Sequence, residues 1–189
     1  MTEFSANGGW SLTDLQSSIR PRVLIIGLGN PILGDDGIGW KVVEQVAERL
    51  QPAPVIERSF PSSMSQLSGT EVEVDCLAVG GLTLMERLVG YERAIIVDAL
   101  STGMNPPGAI TQMLLAELPD RALGHLCSAH DTTLQNALKV GREMGAKIPD
   151  EIIIVGIEAN QIYDFSDELS SELINSIPKA VELVMELIK

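Results

Sequence analysis

Four short apolar runs frame this chain: Val23-Leu24-Ile25-Ile26, Cys76-Leu77-Ala78-Val79, Ala94-Ile95-Ile96-Val97 and Ile152-Ile153-Ile154-Val155. Each stops at a glycine or an aspartate, namely Gly27, Gly80, Asp98 and Gly156. Runs this short and uniformly apolar read as strands buried on both faces, the habit of parallel sheets. Between them the spacing turns helical. Ile38, Val42, Val46 and Leu50 form one stripe, stopped by Pro52 and Pro54. Further helices are expected over 82–88, over 132–144 with Asp131 or Ser128 near its start, and over 169–189. In the last of these, Pro178 either separates two helices or opens the final one. Residues 110–115 read as an additional strand at an edge. The Ser-rich stretch 61–69 and the segment 101–108 read as loops. Such alternation predicts an α/β fold, a single three-layer α/β/α sandwich with a mostly parallel central sheet. No repeat or break in composition divides the chain. One domain is expected over 21–189, behind a polar arm over 1–20 with Trp10 and Leu12 as candidate docking points.

Composition narrows the function. The 189 residues carry a formal net charge of −13, which disfavours nucleic acid and anionic membrane surfaces, since both need clustered Lys and Arg. The two cysteines, Cys76 and Cys127, supply no disulfide framework, and a cytoplasmic setting is expected. The first twenty residues have neither the basic start nor the apolar stretch of a secretory leader. No run approaches the length of a membrane span.

Gly27-Leu28-Gly29-Asn30-Pro31-Ile32-Leu33-Gly34-Asp35-Asp36-Gly37-Ile38-Gly39 follows the first strand. It begins like a dinucleotide fingerprint, yet the third glycine is displaced. A pyrophosphate at this helix mouth would also face Asp35 and Asp36, so a nucleotide is disfavoured. No Gly-Lys-Ser/Thr of a phosphate loop is present. Open α/β sheets place their sites at the carboxyl ends of the strands. Asp36 follows the first strand, Asp98 closes the third, and His130 precedes a helix. Converging, they would offer two oxygens and a nitrogen, a set suited to nickel or zinc and too small for calcium. His130 could equally move a proton.

Each residue also has a plain structural reading. Asp35 or Asp36 would cap or charge the helix start, Asp98 would be a turn residue, and His130 would lie on the surface. Joint placement on one rim is what favours a site. His125, Cys127 and His130 form a rival His-x-Cys-x-x-His cluster. It lacks a second nearby cysteine, because Cys76 lies in an apolar run where a buried, inert thiol is expected. Cysteine catalysis by Cys127 with His130 shows no third orienting group.

Taken together, the sequence resembles the hydrogenase maturation endopeptidases, which remove a C-terminal extension from the large subunit of nickel-iron hydrogenases. The resemblance rests on four elements in order: the Gly-x-Gly-Asn-x-x-x-x-Asp-Asp-x-x-Gly run at 27–39, Val97-Asp98-Ala99, Ser128-x-His130-x-x-x-Leu134, and Gly156-Ile157-Glu158. It implies a phosphorylase/hydrolase-like α/β/α domain and a hydrolase of aspartic-type-like endopeptidase character that activates its hydrogenase. It further implies that Asp36, Asp98 and His130 are the catalytic and metal-contacting residues. The metal would be nickel carried by the large-subunit precursor and contacted transiently, with no organic cofactor. Family members often carry Glu where Asp36 stands, and Asp35 is read as supporting the helix start. Peptidyl-tRNA hydrolases share the Gly-Leu-Gly-Asn-Pro start but need a histidine and an asparagine soon after it, and a basic face. A non-cleaving nickel-binding assembly chaperone would use the same contacts and remains the other alternative.

Overall fold

The computed structural model describes residues 22–50, 63–67, 70–117, 133–160 and 165–189. Among them, six strands form one sheet: β1 (Arg22–Leu28), β2 (Ser63–Leu67), β3 (Thr70–Leu77), β4 (Arg93–Leu100), β5 (Ile110–Leu114) and β6 (Glu151–Glu158). Their order is β2-β3-β1-β4-β6-β5. The inner strands β3, β1, β4 and β6 are parallel, while β2 and β5 pair antiparallel at the two edges. Helices α1 (Ile38–Leu50), α2 (Gly81–Leu88), α3 (Leu134–Glu143) and α4 (Ser171–Leu187) complete the described elements, with short 3-10 turns at Gly34–Gly37 and Leu115–Glu117.

Strand alternation divides the core into two layers. Val23 and Ile25 of β1, Ile95 and Val97 of β4, and Val155 and Ile157 of β6 pack under α1 and α4. Leu24, Ile26, Ala94, Ile96, Ile152 and Ile154 face α2 and α3. The expected α/β/α sandwich is the observed one. Residues of the 1–20 arm, Trp10 and Leu12 included, lie outside the described residues.

Three local expectations change. Stretch 61–69, expected as a loop, contains β2, which pairs with β3 from Ser63↔Val74 to Leu67↔Thr70. Strand propensity depends on context, and polar residues suit an exposed edge. Second, the strand near Cys76 lies earlier than the apolar run: β3 ends at Leu77 and buries the alternating Val72 and Val74. Third, Pro178 neither divides nor opens a helix, because α4 runs unbroken through it. An interior proline costs about 3 kcal/mol, but here it faces solvent. The opposite side of α4 buries Leu173, Ile177, Val181 and Val184, and burying each such side chain is worth roughly 1.5–3 kcal/mol. The stripe wins.

At the glycines the layers approach most closely. A Cβ on Gly39, in the first turn of α1, would lie 2.3 Å from the Leu28 carbonyl oxygen and 2.4 Å from that of Val97. One on Gly27 would lie 2.5 Å from the Gly39 carbonyl oxygen. Helix α1 therefore rests backbone-to-backbone on the ends of β1 and β4.

A charged cluster binds α2 to the sheet. Arg87 of α2 donates to Asp75 (2.7 Å), Glu73 (2.6 Å) and the Tyr91 hydroxyl (2.8 Å). The Tyr91 hydroxyl in turn donates to Glu73, and the Arg22 guanidinium lies 4.5 Å over the Tyr91 ring. Burial works to raise the Glu73 carboxyl. The hydrogen bonds of Tyr91 and Arg87, with the charges of Arg87 and Arg22, outweigh it and hold the group below its ordinary value.

Gly39→Ala is expected to destabilise the fold by about 2–3 kcal/mol, because both opposing atoms are main chain and cannot rotate away. A lowered urea midpoint at unchanged m-value measures this. A carboxyl whose folded value is depressed contributes stability above its unfolded value, about 4.3 for Glu, and loses it as pH falls through the folded value. The melting temperature should accordingly fall on acidification below about pH 4.3. Thermal melts of Glu73→Gln over the same range should show a shallower fall than the parent.

Candidate functional site

The loop after β1 is built by its own backbone. Gly29 adopts φ +127°, and a Cβ there would lie 2.0 Å from the Asp36 carbonyl oxygen; both conditions require glycine. Its N–H donates to the Leu77 carbonyl at the end of β3 (3.1 Å), which also accepts the Trp40 indole N–H (3.2 Å). The Asn30 side-chain oxygen accepts the Ile32 N–H at 3.2 Å, an Asx turn. The chain then winds through Gly34–Gly37 directly into α1.

This path carries Asp36 inward. Its side chain is fully buried, and Oδ2 accepts the Asn30 N–H across the loop. Asp98 is also fully buried. β1 stays paired with β4 as far as Gly27↔Val97, so Asp98 is the first β4 residue beyond the last of those pairs. On its other side it pairs with Gly156 of β6. Chain order runs from β1 to β3 on one side, then crosses to β4 on the other, and such a reversal opens a crevice at the carboxyl ends of the strands. Asp36, in the turn ahead of α1, and Asp98, near the end of β4, both lie on the carboxyl side of the sheet.

His130 lies outside the described residues, as do His125 and Cys127 of the rival cluster. Among the described residues no three His, Cys, Asp or Glu side chains are grouped to hold a metal. Helix α3 begins at Leu134, with Thr133 as its N-cap, the hydroxyl accepting the Asn136 N–H at 3.2 Å. Asp131 and Ser128, expected near that start, lie outside the described residues. The Cys76 thiol is pushed up to about 12, first by burial and then by Glu44 and Asp75, which makes it a poor nucleophile at neutral pH.

Two acids near the rim have roles not anticipated from sequence. Asp35 does not serve its own helix. It is 1% exposed and turns to α4, accepting from the Ser170 N–H (2.7 Å) and hydroxyl (3.0 Å). Glu158, at the end of β6 and 2% exposed, accepts from the Thr102 N–H (2.8 Å), the Thr102 hydroxyl (2.7 Å) and the Gly103 N–H (2.7 Å). It thereby holds the loop that leaves β4 just beyond Asp98. An acid directly after an apolar run was the sequence signal for Glu158, the same signal that marked Asp98. Nothing local marked the Asp35–Ser170 pairing. The 101–108 segment is a loop, as expected, and Met104 at its tip is exposed. Among the described residues no helix is long and apolar enough to cross a membrane.

Comparison with known proteins adds the family. The family model of the HycI hydrogenase maturation proteases matches residues 71–187, a stretch that contains Asp98 and His130 and begins after the Gly27–Gly39 run. A putative hydrogenase maturation protease of Methanocaldococcus jannaschii is 28% identical, over 90% of this chain and 98% of its own length. The NiFe hydrogenase maturation protease HybD from Thermococcus kodakarensis superimposes with a TM-score of 0.60 at 28% identity, covering 89% of this chain and 99% of that one. The hydrogenase maturating endopeptidase HybD from Escherichia coli has the same fold, with a TM-score of 0.61 at 21% identity over 88% of this chain and 91% of its own. The described α/β/α fold and a family match spanning more than half of the sequence agree: the chain belongs to the hydrogenase maturation protease family.

Proposed function

We propose that this protein cuts the C-terminal extension from the large-subunit precursor of a nickel-iron hydrogenase, and that it reads the nickel already inserted in that precursor. Asp36, Asp98 and His130 are the residues assigned to that contact. The observation that carries the reading is the full burial of two carboxylates, Asp36 in the turn ahead of α1 and Asp98 near the end of β4, on the carboxyl side of the sheet where the strand order reverses. Two carboxylates with one imidazole form a borderline donor set that suits nickel. Only three donors leave coordination positions for the precursor's own ligands, so the ion belongs to the substrate.

Docking of the ion beside the crevice would bring the scissile peptide to the same rim. Water then attacks the carbonyl carbon while a carboxylate or His130 takes its proton, and the same group returns that proton to the departing amine as the C–N bond breaks. This is an aspartic-type-like use of the site. Cys76 is left out by its raised value. A cytoplasmic setting is part of the proposal, supported by only two cysteines in the sequence.

Two measurements test the reading. Mass spectrometry of nickel-loaded and nickel-free precursor after incubation should show loss of a C-terminal peptide from the loaded form alone; equal cleavage of both would remove nickel from the account. Asp36→Ala, Asp98→Ala and His130→Ala should each slow processing by roughly a hundredfold or more, the scale of losing an essential acid–base group. Circular dichroism should show the fold retained. Normal rates in all three variants would overturn the site assignment.

A further inference from the structure

Asp35 and Asp36 are adjacent, both buried, and used differently. Successive residues of a 3-10 turn project about 120° apart, so the Gly34–Gly37 turn sends the two carboxylates in separate directions. Asp36 folds back over the loop to the Asn30 N–H. Asp35 crosses to α4, a residue 135 positions away in sequence.

Several features make that crossing more than a surface contact. Ser170 is the N-cap of α4, yet its side chain makes no hydrogen bond to its own helix. A serine at this position ordinarily accepts an N–H from the first turn. Here the hydroxyl donates to Asp35 instead, and a local preference has yielded to a tertiary bond. Asp35 also sits where the helix dipole favours an anion, at the start of a 17-residue helix. Backbone bonds run alongside. The Gly34 N–H donates to the Ser166 carbonyl (2.7 Å), the Ser166 N–H donates to the Ile32 carbonyl (3.2 Å), and Leu33 and Ser166 form an isolated bridge. The loop that aims Asp36 is thus fastened along its outer side to the segment leading into α4.

We infer that Asp35 is a positioning residue: bound to Ser170, it fixes the Gly34–Gly37 turn against α4 and so sets the direction of Asp36. The inference rests on the assignment of Asp36 to the metal-bearing precursor. Asp35 itself takes no part in that contact, because both its oxygens are already engaged by Ser170.

Steady-state processing of nickel-loaded precursor separates positioning from stability. Loss of folded enzyme lowers kcat at unchanged KM, whereas a misaimed Asp36 weakens the grip on the precursor and raises KM. Asp35→Ala should raise KM by about tenfold or more, in keeping with the cost of small misplacements at a site. Asp35→Asn keeps an oxygen for the Ser170 N–H and offers its amide to the hydroxyl, and should restore KM to within about threefold of the parent. Ser170→Ala removes one of the two bonds and should raise KM by about threefold; combined with Asp35→Ala it should add nothing further. Parent KM in Asp35→Ala would overturn the inference. So would an Asp35→Asn variant as impaired as the alanine, since charge rather than the clamp would then matter. Should Asp35→Ala fail to fold, Ser170→Ala decides, and an unchanged KM there overturns the inference. Asp36→Ala is run in parallel: full activity in that variant would sink the site assignment itself, whereas inactivity there with a normal Asp35→Ala would sink only the positioning role.

Discussion

The first turn of α1 lies directly on the main chain of two strands, and the rim takes its shape from that contact. Without side chains at Gly27 and Gly39, the helix start reaches the carbonyls of Leu28 and Val97. Any larger residue would lift α1 away from the sheet. The four residues ahead of α1 would rise with it, Asp36 among them. The same contact places the end of β1 beside β4 just where Asp98 emerges beyond the paired register. Packing of backbone on backbone and placement of the two acids are one feature of the fold. The glycines of the motif serve this approach, not a phosphate.

Acids are costly to bury, by several kcal/mol per ion even after relaxation. This chain nonetheless buries Asp35, Asp36, Asp98 and Glu158 near the carboxyl ends of its strands. Two of them are held by donors that fasten loops. Asp35 takes both donors of Ser170, and Glu158 takes three from residues 102 and 103. These bonds offset desolvation and stiffen the two chain segments that leave β1 and β4.

Strands β1, β4 and β6 were legible because burial on both faces leaves an unbroken apolar signature, and Ile152 to Val155 or Ala94 to Val97 offers no competing pattern; β3 alternates, and its apolar run only marked its end. Edge β2 was not legible, since Ser and Gln fit an edge ladder as well as a loop. Pro178 misled for a different reason. Its cost is local and fixed, while the buried stripe that overrides it, Leu173 to Val184, spans about three turns of α4. The burial of Asp36 and Asp98 at the carboxyl side of the sheet follows from the apolar runs before them, although β4 continues past Asp98 to Leu100. Asp35 was not legible, because its binding residue lies at the far end of the sequence and a carboxylate before a helix already has a sufficient local explanation. His130, marked by the same positional logic, lies outside the described residues.

The Asp35–Ser170 bond also orders the assembly of the site. Its two residues are separated by nearly the whole described chain, so the bond forms only after α4 docks on α1. Docking depends on the apolar stripe of Leu173, Ile177, Val181 and Val184, which shares one core layer with Val42, Val43 and Val46. Until that layer closes, the Gly34–Gly37 turn lacks its outer anchor. Closure gives Asp35 two donors at the start of α4. The aim of Asp36 is therefore coupled to the packing of α4. Substitutions deep in the α1–α4 layer should loosen the rim well before they unfold the sheet.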